Sequence, residues 1–219
     1  CIIGDQTGIG KGRVAAALIR YGVRHGLRPL FITEKANLFS DIYRDLIAIG
    51  SPDLKPFIVN TKESKTNIKD GSGKVIYTAP TKIEQTRVFK SANLKGYDFI
   101  LSTYSQYNSQ GSGNPKMPFL IEASKGKLLI MDESHNASGS SNTGAFMQEV
   151  VKQTKSTIFL SATFAKRPDN MPIYALKTSI SDANMSTDSF VFAVSRGGVA
   201  LQEILASQLV AEGQMIRRE

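Results

Sequence analysis

Residues 4–13 read GDQTGIGKGR, and the rest of this chain is organised around them. They follow a short apolar run, Cys1–Ile3, and lead into Val14–Ile19, which has the composition of a buried helix. A strand, a glycine-rich turn and a helix with a lysine in its first turn can hold the phosphates of a nucleotide, because backbone N–H groups and the positive helix end close on the anion. Asp5 replaces the first glycine of the usual motif, and Gly12 replaces its hydroxyl residue. Taken alone, the stretch fits either a phosphate-binding loop or an ordinary glycine-rich turn.

In the phosphate-binding interpretation, the full positive charge comes from Lys11. Thr7 could offer its hydroxyl to the phosphates or to a metal in place of the one missing at Gly12, or it could be only a turn residue. The predicted nucleotide-binding residues are Asp5, Gln6, Thr7, Gly8, Ile9, Gly10, Lys11, Gly12 and Arg13.

Two adjacent carboxylates end a second apolar run, Leu128–Met131. Asp132 suits a Mg²⁺ site, through a coordinated water, because Mg²⁺ keeps several of its waters. Glu133 can act as the base that activates water for attack on a γ-phosphate. An Asp-Glu pair after a strand is also common at the start of a helix. Combined with the glycine-rich loop, the pair predicts a P-loop NTPase that uses a nucleoside triphosphate and Mg²⁺.

Between and beyond these stretches, short apolar runs alternate with helical patterns, which predicts an α/β fold with a parallel sheet covered on both faces. Loops are expected at 61–74 and 108–118. Residues 188–218 are expected to form two helices, with a break between them at 196–198. The predicted helices are 14–25, 37–49, 81–91 and 143–152, and the predicted strands are 29–33, 57–59, 75–77, 97–102, 127–131 and 157–160.

Polar residues cluster where the predicted strands end. Because functional residues of parallel sheets lie just beyond the carboxyl ends of the strands, we expect these clusters to meet at one edge. They are Gly4–Lys11, Glu34–Asn37, Ser102–Tyr104, Asp132–His135 and Ser161–Thr163.

The composition limits the possible partners and sites. The net charge of +8 favours nucleic acid or another polyanion, although many basic proteins bind no anion. Cys1 is the single cysteine, so neither an internal disulfide nor a cysteine-rich zinc site can form, and two isolated histidines make no zinc site. No apolar run is long enough for a membrane span, so no membrane partner is expected. Because the chain lacks an initiator methionine, we expect it to be part of a longer protein.

The motifs G-x-G-K, D-E-S-H and S-A-T occur in that order, and in this the chain resembles the first RecA-like lobe of a superfamily 2 helicase. It is more closely similar to the strawberry notch family, whose loop also reads G-D-x-x-G-x-G-K-G-R, although Ser134 stands where those relatives usually carry cysteine. The resemblance covers nearly the whole chain and includes residues 31–46, 96–106, 131–137, 161–171 and 190–200.

This resemblance implies a RecA-like three-layer sandwich that works as an ATP-driven motor on DNA or RNA. By resemblance, Lys11 contacts the β- and γ-phosphates, Asp132 holds Mg²⁺ and Glu133 activates water. The residues that couple the nucleotide to nucleic acid would be His135, Ser161 and Thr163. Those that touch the nucleic acid backbone would be Glu34, Asn37, Thr103, Tyr104 and Ser105, although ordinary strand-end packing would also explain Thr103 and Tyr104.

The resemblance also implies a division of the chain and a larger setting. Residues 1–185 would form the first ATPase lobe, and 186–219 a helical extension towards a second RecA-like lobe that supplies an arginine finger. The isolated chain should then hydrolyse ATP slowly or not at all. A fused methyltransferase is a further possible partner, and the location would be cytoplasmic in a bacterium or phage and nuclear in an animal. The alternatives are a catalytically weak scaffold for protein or nucleic acid interaction, and a small-molecule kinase, for which no acceptor-site signature is present.

Overall fold

The structure is a computed structural model that describes residues 1–5, 10–61, 66–109, 113–137, 141–162, 171–178 and 187–217. In these residues, seven strands form one sheet in the order β3-β6-β2-β7-β8-β1-β9, and all of its neighbours are parallel. The strands are β1 (Ile2–Ile3), β2 (Leu30–Thr33), β3 (Pro56–Ile58), β4 (Ile68–Lys69), β5 (Val75–Tyr77), β6 (Phe99–Thr103), β7 (Leu128–Asp132), β8 (Ser156–Leu160) and β9 (Met215–Ile216).

Helices connect the strands, and two short 3₁₀ helices, Tyr104–Tyr107 and Ser134–Asn136, directly follow the ends of β6 and β7. The last helix is kinked at Gly198, where φ is 56° and ψ is −150°. The α-helices are α1 (Lys11–Arg24), α2 (Leu38–Ala48), α3 (Lys82–Ser91), α4 (Lys116–Ser124), α5 (Asn142–Gln153), α6 (Met171–Ala175) and α7 (Thr187–Ala211).

The strands are apolar on both faces, which explains the layered architecture. Leu128 and Ile130 of β7 belong to one buried cluster, whereas Leu129 and Met131 belong to the other. Successive strand residues point to opposite faces, so each face needs its own covering layer of helices. The predicted α/β fold with a mainly parallel central sheet is confirmed.

Two predicted loops contain regular structure. The predicted loop 61–74 contains β4, which pairs antiparallel with β5, so the predicted strand 75–77 lies outside the main sheet. The predicted loop 108–118 already contains the first residues of α4, which begins at Lys116. A strand of two residues and the first turn of a helix are both too short to show a periodic pattern in the sequence.

The end of the chain also differs from its prediction. The break at 196–198 is confirmed by the kink at Gly198, but the helix ends at Ala211 and β9 follows. This strand lies beside β1, where the Ile2 N–H donates to the Gln214 carbonyl at 2.8 Å and the Gly4 N–H donates to the Ile216 carbonyl at 2.8 Å. No helix within the described ranges is long and apolar enough to cross a membrane.

Candidate active site

The strands β1, β2, β6, β7 and β8 end at the same edge of the sheet because they are parallel. All five polar clusters picked out from the sequence follow these strand ends, so the expected meeting at one edge is confirmed for their described residues. Gln6, Thr7, Gly8, Ile9 and Thr163 lie outside the described residues, and their predicted roles stay predictions.

The described part of the glycine-rich loop places a lysine against its own backbone. Gly10 precedes α1 with φ at 82°, a left-handed conformation that glycine adopts without strain. Lys11 follows as the first residue of the helix, and its Nζ donates to the carbonyl of the fully buried Asp5 at 2.9 Å. The ammonium is therefore held at the strand-to-helix turn, where a phosphate would need it.

Gly12 has a packing reason to lack a side chain. A Cβ at this position would overlap Oδ2 of Asp45, which reaches α1 from α2. The same carboxylate accepts a hydrogen bond from Arg13 Nε at 2.7 Å through Oδ1. A side chain at this position would therefore have to displace the Asp45 carboxylate, which is the end of a flexible side chain.

Asp132 is held from two sides. Thr33, at the end of β2, donates its hydroxyl to Asp132 Oδ2 at 2.8 Å, and the Tyr104 hydroxyl donates to the Asp132 backbone carbonyl at 2.7 Å. Burial raises the pKa of the Asp132 carboxyl, against the opposing effects of the Thr33 hydrogen bond and the Lys11 ammonium. Lys11 and Asp132, which are 121 residues apart in sequence, therefore lie within electrostatic range of each other.

Glu133 has an unusual backbone conformation. Its φ of 47° and ψ of 49° are left-handed, which costs about 1–2 kcal/mol for a residue with a Cβ. Such strain persists only where the surrounding structure imposes it, and it is concentrated at functional sites. Its carboxylate lies 3.4 Å from His135 Nδ1, and both side chains are partly buried.

The predicted coupling residues His135 and Ser161 are in contact, with Nδ1 and Oγ 3.0 Å apart. Sequence reasoning missed Tyr174 on α6, whose hydroxyl lies 2.7 Å from Ser134 Oγ and is also hydrogen-bonded to Ser161. Burial raises the Tyr174 pKa to about 12, so the hydroxyl stays protonated. Nothing in the apolar sequence of α6 distinguishes this tyrosine from a core residue.

Beside the carboxylate pair, the ends of β2, β3 and β6 enclose a cavity of about 420 Å³, which we call the polar cleft. Four of the predicted nucleic acid contacts line it: Glu34, Asn37, Thr103 and Ser105. Tyr104 instead lines an adjoining cavity of about 290 Å³, which shares Glu34 and Ser105 with the cleft. The predicted contacts are thus brought together, and their role stays a prediction.

A buried hydrogen-bond network supports the floor of the polar cleft. Asn60 donates from Nδ2 to Thr103 Oγ1 at 2.8 Å, and Thr103 Oγ1 lies 3.0 Å from Ser105 Oγ. Behind Asn60, Gln85 of α3 donates from Nε2 to the Asn60 carbonyl at 2.7 Å and to the Ile58 carbonyl at 2.8 Å. Neither amide was predicted, because only the fold brings α3 against the end of β3.

The donors at this edge fit a weakly ligated Mg²⁺. No group of three or more His, Cys, Asp or Glu side chains suitable for a metal occurs among the described residues. One carboxylate, Asp132, with the hydroxyl of Thr33 beside it, is the arrangement expected for an ion that keeps most of its waters. Asp132 therefore remains the residue that would hold Mg²⁺.

Comparison with known proteins gives matches over the whole chain. The family described as P-loop containing NTP hydrolase pore-1 matches residues 1–219. Identity is 26% to the protein strawberry notch homolog of Caenorhabditis elegans, 28% to protein FORGETTER 1 of Arabidopsis thaliana and 27% to protein strawberry notch of Drosophila melanogaster, over 100%, 99% and 100% of this chain. The chain spans only 12%, 16% and 13% of those three proteins.

Among solved structures, the chain is similar to the Sulfolobus solfataricus SWI2/SNF2 ATPase core in complex with dsDNA, with a TM-score of 0.64. The match covers 99% of this chain and 39% of that one, at 15% identity. At this identity, the likeness shows the fold alone, which is RecA-like.

Proposed function

Because the chain belongs to the family of P-loop containing NTP hydrolases described as pore-1, and within it to the strawberry notch proteins, we propose that it is the ATP-binding lobe of a superfamily 2 helicase or translocase. In this proposal, the lobe couples ATP hydrolysis to binding of a nucleic acid backbone. The observation that carries the proposal is the meeting of Lys11, Asp132 and the polar cleft at one edge of the sheet.

The nucleotide half of the proposal rests on three residues. Lys11, the first residue of α1, would bind the β- and γ-phosphates, and Asp132 would hold Mg²⁺. Bound Mg²⁺ would neutralise the charge of the phosphates. Glu133 takes the proton of the attacking water, and its left-handed backbone sets the direction of its Cα–Cβ bond.

The nucleic acid half rests on the polar cleft. Hydroxyl and amide groups suit contacts to phosphate and sugar, which are independent of base sequence. Lys35 and Asn60 line the cleft together with the predicted contacts Asn37, Thr103 and Ser105. The net charge of +8 over the whole chain favours a polyanionic partner, although the described residues that line the cleft include one cation, Lys35, and one anion, Glu34. The ATPase core that the fold resembles was solved with dsDNA, which makes DNA the first nucleic acid to test.

In the longer protein, a second RecA-like lobe would close over the nucleotide and supply an arginine finger. We propose slow turnover in the isolated chain for this reason. The same proposal includes a possible fused methyltransferase, and a location that would be cytoplasmic in a bacterium or phage and nuclear in an animal.

Binding and turnover of Mg²⁺–ATP test the nucleotide half. We expect Lys11→Ala to weaken Mg²⁺–ATP binding by the isolated chain about tenfold or more in calorimetry, because a charge-assisted hydrogen bond contributes about 1.5–3 kcal/mol. Lys127→Ala is the matched control. Lys127 directly precedes β7 and so lies where the strand begins, at the opposite end from Asp132. In the longer protein, Glu133→Gln should lower kcat about 10²–10⁴-fold.

The scaffold remains the second candidate, and Gly12 favours it because no hydroxyl side chain follows Lys11. A scaffold predicts DNA binding without Mg²⁺–ATP binding, or equal ATP affinities for wild type and Lys11→Ala. Wild-type turnover in Glu133→Gln would sink the assigned mechanism while leaving the ATP site in place.

A further inference from the structure

Tyr104 lies between the polar cleft and the carboxylate pair. It is the first residue after β6 and begins the 3₁₀ helix Tyr104–Tyr107. Its side chain is 5% exposed, and its hydroxyl donates to the Asp132 backbone carbonyl at 2.7 Å. Burial raises the Tyr104 pKa well above its usual value, so the hydroxyl remains a donor at neutral pH.

Both neighbours of Tyr104 reach the polar cleft, and Ser105 also lines the adjoining cavity together with Tyr104. Thr103 and Ser105 line the polar cleft, and their hydroxyl oxygens lie 3.0 Å apart. Asn60 holds Thr103 through two hydrogen bonds, from Nδ2 to Oγ1 at 2.8 Å and from the Thr103 N–H to Oδ1 at 3.2 Å. One tightly bonded turn therefore presents its flanking hydroxyls to the cleft and its central hydroxyl to Asp132.

The carbonyl that Tyr104 holds has a particular position in the site. It belongs to the peptide bond between Asp132 and Glu133, and rotation of this peptide changes the backbone angles on both of its sides. Glu133 follows in the left-handed conformation, which the surrounding structure has to impose. The hydrogen bond from Tyr104 is one contact that fixes this peptide, and with it the direction of the Glu133 side chain.

We propose that Tyr104 is a positioning residue that couples occupancy of the polar cleft by a nucleic acid backbone to the geometry of Asp132 and Glu133. The inference rests on the proposed function. A backbone that pulls on Thr103 and Ser105 moves the Tyr104 hydroxyl, which moves the peptide that orients Glu133. Thermodynamic linkage makes the effect reciprocal, so a nucleotide at Asp132 changes the affinity of the cleft by the same factor.

The test measures this factor directly. The isolated chain is titrated with a fluorescent ADP analogue and Mg²⁺, with and without a short DNA duplex, and the ratio of the two Kd values gives the coupling. We expect a wild-type ratio of about five or more, typical of coupled sites. Tyr104→Phe, which removes one oxygen atom and keeps the ring, should bring the ratio to about one.

Tyr107→Phe is the matched control. Tyr107 belongs to the same 3₁₀ helix and is fully buried, and its hydroxyl lies 2.7 Å from Ser102 Oγ, so its removal also breaks one buried hydrogen bond. It should keep the wild-type ratio. A purely structural role of Tyr104 would predict similar losses of stability in both variants and no change in either ratio.

A measurement on the wild type alone removes the dependence on how the variant folds. Hydrogen exchange of the segment 133–137 should change when the DNA duplex is added without nucleotide. No change there would overturn the coupling role, as would a wild-type ratio of one or a ratio retained by Tyr104→Phe. Failure of the wild type to bind either the ADP analogue or the duplex would instead overturn the proposed function itself.

Discussion

Gly12 is the residue at which the site departs most visibly from the usual phosphate-loop motif. The glycine allows the Asp45 carboxylate to approach α1 and bind Arg13, so it serves the packing of α1 against α2. The ion pair with Arg13 is largely exposed on the arginine side and contributes little to stability by itself. A side chain at this position would first disturb this ion pair, because among the described residues only Asp45 side-chain atoms lie close to it.

We predict that Gly12→Ala lowers the free energy of unfolding by up to about 1 kcal/mol, because the added methyl group displaces the end of the Asp45 side chain from Arg13. In an Asp45→Ala background, the same change should be neutral or stabilising by up to about 1 kcal/mol, since alanine favours helix over glycine. Urea unfolding of the four proteins of this double-mutant cycle gives the coupling. Additive effects would show that Asp45 is not the obstacle.

The same geometry bears on restoring the missing hydroxyl. A Gly12→Thr substitution brings both the hydroxyl and the overlap with Asp45, so the resemblance to the usual motif is no guide to its effect on Mg²⁺. Asp132 and Thr33, which are hydrogen-bonded at 2.8 Å, are the described groups closest in chemistry to the usual pair of a carboxylate and a hydroxyl.

At the scale of elements, α3 covers β3, the outermost strand on one side of the sheet. β3 is an edge strand of the described sheet, and edge strands leave backbone groups unpaired. The Gln85 amide occupies that edge by donating to the carbonyls of Ile58 at 2.8 Å and Asn60 at 2.7 Å. Because Asn60 in turn holds Thr103, this contact also supports the polar cleft.

We predict that Gln85→Ala lowers the free energy of unfolding by about 1–3 kcal/mol, because it leaves buried carbonyls without a donor. It should also weaken DNA binding at the polar cleft, while Mg²⁺–ATP binding stays near wild type. Thr86→Ala, on the exposed face of the same helix, is the control and should change stability by less than about 0.5 kcal/mol. If Gln85→Ala is destabilised but binds DNA with wild-type affinity, the contact of Gln85 with β3 does not support the polar cleft.

The elements also show where the sequence was informative. Long periodic segments such as α2 and α5 were predicted to within one or two residues, because burial of one face leaves a pattern. β4 and β9 were missed because each has only two residues. Lys11, Asp132 and Glu133 were identified from motifs, whereas Asn60, Gln85 and Tyr174 carry no motif and are defined by their contacts.

At the scale of the whole molecule, the charge predicts how DNA binding responds to salt. Binding through phosphate contacts releases counterions, so log K should fall linearly with log salt concentration. We expect the affinity of the isolated chain for a DNA duplex, measured by fluorescence anisotropy, to fall at least about tenfold between 50 and 200 mM salt. A salt-insensitive interaction would point to a different mode of binding and would favour the scaffold.

The residue order alone was sufficient for the α/β class, the parallel sheet and the edge at which the polar clusters meet. Apolar strands that are buried on both faces and a glycine-rich turn before a helix are local patterns, and local patterns can be read without coordinates. The motifs G-x-G-K, D-E-S-H and S-A-T together indicated the family, whose match covers residues 1–219.

Contacts between distant residues required the folded chain. The overlap that a side chain at Gly12 would meet comes from Asp45 on another helix, and the hydrogen bond that holds the Asp132 carbonyl comes from Tyr104 on another strand end. Both depend on how two elements pack, and packing depends on side-chain shape across the whole core and leaves no local signature. The sequence motif identified Lys11, whereas only the folded chain shows that Asp45 lies against Gly12.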